Sequence, residues 1–261
     1  MLASKQRHRK KRRNRHRSRR GEVGVLYNPK TASFHSFQRP DGTWVKADGK
    51  ENNIVTLINP EYYIAEAKDD GNPRNTLAYR QLHMMISATK LYGERDYSYA
   101  FAGIEFTPDD PHLRFYEGNH VIIQLHSIAM LDRNQAFGQL AHECVHLLSP
   151  TPGRPVKILE EGMAVAFSYV YMRDTMRVIL PPLGKESYQE ALDLVTLLLN
   201  IDQDGIKKMR KEEPTISNIT KSLVLKYYPT LPEEVAARLT RTFVRDEHVH
   251  PDIIEIYNRE E

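Results

Sequence analysis

The chain has 261 residues, of which 40% are hydrophobic, and it sets 37 basic against 34 acidic side chains. Its one cysteine, Cys144, excludes an internal disulfide, no stretch reaches the roughly eighteen apolar residues of a membrane span, and no apolar run follows the basic N-terminus as a secretory signal requires. The expectation is a cytoplasmic protein with a core of useful size.

The net charge of +3 conceals two unlike parts. Residues 1–20 hold eleven cations and no acid; what remains carries 26 basic and 34 acidic residues, a net charge of −8. Such an arm repels itself and cannot build a core, so it is expected to be disordered when free. It suits nonspecific binding to nucleic acid or another acidic surface through counterion release, or a role in solubility and localisation. It has no interleaved aromatics for base stacking. Residues 22–60 read as β-rich: Asp41-Gly42 and Asp48-Gly49 bracket Thr43-Trp44-Val45-Lys46 as in a hairpin, and Ile54 to Ile58 suits a buried strand. Residues 75–94 are predicted as a helix with an apolar stripe of Leu77, Leu82, Met85, Ile86 and Leu91, and with His83 as a partly exposed polar residue. Strands are expected over Tyr99 to Phe106, Leu113 to Tyr116 and His120 to His126, with a turn at Gly118-Asn119. Val121 to Leu125 is the candidate edge strand, open to an added peptide strand, and His120 and His126 flank it as surface histidines.

Phe137, Leu140, Ala141, Cys144, Val145 and Leu148 then recur at helical spacing, with Asp132 or Asn134 as cap and Ser149-Pro150 as terminator. Inside this helix stands His142-Glu143-Cys144-Val145-His146. Residues i and i+4 share a helix face one turn apart, so both imidazoles reach one cation, and Glu143 projects beside them. Cys144 reads as a small core residue. After a rigid turn at residues 151–155, a second helix begins near Val156 and sets Glu160 and Glu161 in apolar company. Carboxylates in such surroundings are costly unless something offsets their desolvation, as a divalent cation does. Adjacent helical residues point about 100° apart, so only one of the two can face an ion. The other is left to hydrogen-bond an imidazole or to meet solvent.

This combination resembles the gluzincin metallopeptidases, in which HExxH on one helix is completed by Glu-Gly-x-Ala on a later one, here Glu161-Gly162-Met163-Ala164. The resemblance spans about residues 95–175. It implies one Zn2+ per chain on His142, His146 and Glu161, with Glu143 as the general base that activates water for hydrolysis of a peptide or protein substrate. It also favours Glu161 over Glu160 as third ligand. Three protein ligands leave a position open, unlike a closed structural site. At Val165 the chain departs from the thermolysin-like pattern, which has there an Asp that orients a ligand histidine. The fold implied is α+β and zincin-like: a small mixed sheet, an active-site helix and a glutamate helix, followed by a helical C-terminal part.

Beyond residue 175, helices are expected at 186–200, 204–211, 216–228 and 233–243, set off by Pro181-Pro182-Leu183-Gly184, with Pro232 near the start of the last. The domain plan is therefore a basic arm (1–20), a zincin-like core (21–180) and a helical subdomain (181–261). A donor to a developing oxyanion is sought among Tyr169, Tyr227, Tyr228, His248 and His250. The leading reading is a zinc peptidase. Its rivals are a regulatory protein of this fold held on nucleic acid by its arm, and a binding module without catalysis. In fluorescence anisotropy, DNA or RNA binding through the arm is expected to weaken about a thousandfold between roughly 50 and 200 mM salt. Deleting residues 1–20 should abolish that binding and spare hydrolysis, and binding that survives the deletion would refute the assignment.

Overall fold

The computed structural model describes residues 76–247 together with four short strands nearer the N-terminus, β1 (Val23–Val25), β2 (Ser36–Gln38), β3 (Trp44–Lys46) and β4 (Thr56–Leu57). The chain divides into two compact units, Met1–Tyr62 and Tyr63–Glu261. In the first, the four strands form an antiparallel meander in sequence order, with Phe37 opposite Val45 and Trp44 opposite Leu57. The expected β-rich character of this stretch is present. The basic arm, and the side chain of Trp44, lie outside the described residues.

The second unit is mixed α and β, with a three-stranded sheet and seven helices among its described residues. Helix α1 (Leu77–Tyr92) is capped by Thr76, whose hydroxyl accepts from the Tyr79 amide. Its buried face is Leu77, Gln81, Met84, Met85, Ala88 and Tyr92, not the stripe expected from hydrophobicity: Leu82 and Ile86 are 57% and 61% exposed. Tyr92 fixes the rotation, because its ring is fully buried and its hydroxyl donates to the Met163 carbonyl. His83 is partly buried against Tyr171, with Nδ1 2.8 Å from the phenol oxygen.

Strands β5 (Ala100–Thr107), β6 (His112–Tyr116) and β7 (His120–His126) assemble in the order β5-β7-β6, with β5 parallel and β6 antiparallel to β7. The turn before β7 uses left-handed conformations at Gly118 and Asn119. The candidate edge strand, Val121 to Leu125, is thus the central strand. All five of its residues are buried, as a strand needs when it is covered on both faces and paired on both sides. The edges belong to β5 and β6.

Helix α2 (Arg133–His146) carries the HExxH residues, and Asp132 caps it by accepting from the amides of Asn134 and Gln135. Helix α3 (Ile158–Asp174) is buried at every position from Ile158 to Ser168. A helix buried all round must be surrounded, and α3 packs against α2 and against α4 (Glu186–Ile201). Gly162 makes the second packing possible. A Cβ there would lie inside the radius of the Ala191 carbonyl oxygen and 2.6 Å from Val195 Cγ2. The neighbour that requires a glycine here is α4, not the HExxH helix α2.

Helices α5 (Gly205–Glu212), α6 (Lys221–Tyr227) and α7 (Glu233–Leu239) complete the unit. The single helix expected over 216–228 is two elements, a 3-10 turn at Ile216–Asn218 and then α6, because the Thr220 hydroxyl caps a fresh start at the Leu223 amide. The last helix stops at Leu239, short of Phe243. Residues 241–243 leave it to pair with the entry to α3: the Ile158 amide donates to Arg241 O, and the Phe243 amide to Val156 O. Among the described residues no helix is long and apolar enough to cross a membrane. Replacing Gly162 by Ala costs about 3 kcal/mol in overpacking against about 1 kcal/mol gained in helix propensity. Urea titration of G162A should show a net loss of about 2 kcal/mol, and stability at or above wild type would contradict the packing described.

Candidate metal centre

His146 closes the last turn of α2 and His142 stands one turn before it, while Glu160 and Glu161 lie in the first turn of α3. The negative end of one helix and the positive end of the other thus meet around these four side chains, which favours positive charge at the histidines and carboxylates at the glutamates. Cys144, one position from the histidine face, is fully buried in the core behind them.

Three side chains converge. His142 Nε2 lies 3.2 Å from His146 Nε2 and 3.1 Å from Glu161 Oε1, and His146 Nε2 lies 3.6 Å from Glu161 Oε2. In a tetrahedral site with bonds of about 2.0 Å, ligand atoms sit about 3.3 Å apart, so the two imidazole nitrogens stand at ligand spacing, and the Glu161 carboxylate faces both with one oxygen toward each. Among the described residues this is the one group of three or more His, Cys, Asp or Glu side chains able to hold a metal ion.

Glu160 points elsewhere, and both its oxygens are used. Oε1 is 2.9 Å from His146 Nδ1, and Oε2 accepts from the Ser217 hydroxyl at 3.0 Å. A proton on His146 Nδ1 held by this carboxylate leaves the Nε2 lone pair directed at the shared centre. The 3-10 turn at Ile216–Asn218 is itself fixed to the end of α2, because the Ile216 amide donates to the Ser149 hydroxyl. Glu160, one residue before Glu161 in sequence, thus orients the His146 ring, and Val165 has no part in it.

Electrostatics follow this geometry. Burial disfavours the His146 imidazolium, yet the hydrogen bond to Glu160 and the charges of Glu143, Glu161 and Glu160 outweigh it and lift the metal-free group to about 10. Burial likewise raises the Glu161 carboxyl, but the two histidines bring it below the ordinary carboxylate range. Glu143 goes the other way. Burial dominates and pushes its carboxyl up, against the pull of His146 and His142. Its Oε2 is buried and has no hydrogen-bond partner. Leaving such an atom unsatisfied is costly, so the arrangement suits a carboxylate that meets a small polar molecule here.

Glu143 and His142 open into a cavity of about 380 Å³. Gly138 and Val165 contribute to its walls, as do Leu180 to Gly184, Tyr169, Tyr188, Arg245 and Asp110. Of the proposed oxyanion donors, Tyr169 borders this cavity but donates its hydroxyl to Pro181 O. Tyr227 bonds Glu212 on the surface and Tyr228 bonds Asp202 O, both away from the cavity. His248 and His250 lie outside the described residues. His120 and His126 hydrogen-bond locally, to Glu117 O and from the Ile128 amide. Sequence reasoning missed Tyr188 and Arg245. No motif marks them, and they reach the cavity only through the close packing of α4 on Gly162 and the return of residues 241–245 along α3.

The chain matches no protein-family model, no characterised protein and no solved structure. The His142, His146 and Glu161 group could hold a metal ion, and that rests on its own geometry. Competition against a chromophoric chelator should show Glu160→Gln binding zinc about 10- to 100-fold more weakly than wild type. An affinity equal to wild type would remove Glu160 from the account.

Proposed function

We propose that the protein is a zinc-dependent metallopeptidase of gluzincin type, with His142, His146 and Glu161 as ligands and Glu143 as general base. The observation that carries this reading is the convergence of the His142 and His146 Nε2 atoms, 3.2 Å apart, on the Glu161 carboxylate, beside a buried carboxylate with one oxygen unpartnered. Two imidazoles and one carboxylate form a borderline donor set that suits zinc. Zinc held there supplies Lewis acidity, polarising a carbonyl and making water more acidic.

The chain's own residues do the rest. Glu160 holds the His146 ring and its tautomer. Glu143 takes the proton of the attacking water and later hands it to the departing amine, a task for which a carboxyl raised by burial is well matched. Strand β6 borders the cavity through Asp110 and Pro111, which precede it, and among the described residues its only strand partner is β7. An extended peptide can therefore add along β6, with backbone hydrogen bonds aligning it over Glu143. The unsatisfied Glu143 oxygen favours hydrolysis over a binding-only use of the same site, because a binding module has no use for that cost.

Element mass spectrometry should find one zinc per chain. A peptide library incubated with the protein should be cleaved, with Glu143→Gln retaining zinc and losing at least about a hundredfold in kcat, in line with loss of a general base. Cleavage by Glu143→Gln at the wild-type rate would end this reading.

A further inference from the structure

The 3-10 turn at Ile216–Asn218 and the residue after it are held one by one by the stretch that joins α2 to α3. The Ile216 amide donates to the Ser149 hydroxyl, and the Ser217 hydroxyl lies 3.2 Å from that of Thr151. The Asn218 side-chain oxygen accepts from Arg154, and the Ile219 carbonyl accepts from Lys157. Ile216 and Ile219 are fully buried. The turn is thus docked along the connection between the helix of the histidines and the helix of the glutamates. Of its side chains, Ser217 is the one that reaches their meeting point, where its hydroxyl donates to Glu160 Oε2 at 3.0 Å.

The directions of these bonds follow from the proton count. A serine has one hydroxyl proton, and an ionised carboxylate only accepts. Ser217 spends its proton on Glu160, so the bond between the two hydroxyls runs from Thr151 to Ser217. The other Glu160 oxygen, Oε1, faces His146 Nδ1 at 2.9 Å. Thr151 therefore donates to Ser217, Ser217 to Glu160, and Glu160 takes the Nδ1 proton of His146.

We propose that Ser217, supported by Thr151, is a positioning residue of the metal centre: it pins the Glu160 carboxylate in the rotation that holds the His146 ring by Nδ1 and leaves Nε2 turned toward His142 and Glu161. This rests on the zinc site of the reading above and not on its peptide hydrolysis. Removing the Ser217 hydroxyl has two opposed effects. The carboxylate, relieved of one bond, attracts the Nδ1 proton more strongly. Its buried Oε2 also loses its partner, and an unsatisfied buried acceptor is costly, so the group turns to find another. The second effect governs, because a ligand ring is only as well aimed as the group behind it.

The test measures zinc affinity by chelator competition on the full chain. Ser217→Ala should bind zinc about tenfold more weakly than wild type, and Thr151→Val, which keeps the volume, about threefold more weakly. Asn218→Ala removes a neighbouring clamp of the same turn but no contact of Glu160, and should bind as wild type does. On a Glu160→Gln background, Ser217→Ala should cost less than about twofold further, because its effect passes through the carboxylate. Proton NMR of the zinc-loaded chain supplies a readout apart from affinity: the His146 Nδ1 proton should exchange with water faster in Ser217→Ala than in wild type. Wild-type affinity in Ser217→Ala, an equal loss in Asn218→Ala, or the full loss repeated on the Glu160→Gln background overturns the role of Ser217 and leaves the zinc peptidase reading standing. Should Ser217→Ala fail to fold, Thr151→Val on the same two backgrounds decides in the same way. A wild type that takes up no zinc overturns both, and one that binds zinc but cleaves no peptide overturns the peptidase reading alone.

Discussion

Two adjacent carboxylates buried at the start of one helix govern this structure. Glu160 and Glu161 are 2% and 5% exposed, and neither can be left uncompensated in such surroundings. Because neighbouring helical residues diverge by about 100°, their demands are met in different directions. Glu161 turns to the Nε2 atoms of both histidines, and Glu160 to Nδ1 of one of them and to Ser217. The imidazole pair on α2 and the carboxylate pair on α3 therefore lock the two helices in one register. The packing of α3 on all sides, including the notch at Gly162, keeps that register from relaxing.

The surrounding elements extend this constraint. The 3-10 turn that carries Ser217 is tied to Ser149 at the end of α2, and the segment after α7 pairs with the residues that enter α3. A buried ion pair of Arg238 with Glu190 fixes α7 to α4, with two bonds of 2.7 Å. The cavity beside Glu143 is thus walled by parts that lie far apart in sequence. Its polar groups, Tyr188 and Arg245, are positioned by the same contacts that hold the helices together.

Much of this was legible in the chain. HExxH at helical spacing and the two carboxylates in apolar company led to the His142, His146 and Glu161 group, and the option that Glu160 serves an imidazole is the one observed. Helix positions were readable where a cap or a proline marks them, as at Asp132 and Pro232. Three things were not legible, each for a physical reason. Counting apolar residues assigns the wrong face to α1, because Leu82 and Ile86 face outward while Gln81 and the tyrosine at 92 face the core. A strand as apolar as Val121 to Leu125, with Gln124 its one polar residue, signals burial, which argues for the centre of a sheet and against its edge. Side chains delivered by tertiary packing alone, such as Tyr188 and Arg245, leave no pattern in the sequence.

X-ray absorption at the zinc edge of the loaded protein reports the donor atoms themselves. The account predicts nitrogen and oxygen neighbours at about 2.0–2.1 Å, two of them showing the multiple scattering of imidazole rings, with no sulfur at about 2.3 Å. A sulfur shell, or a single imidazole, would contradict it.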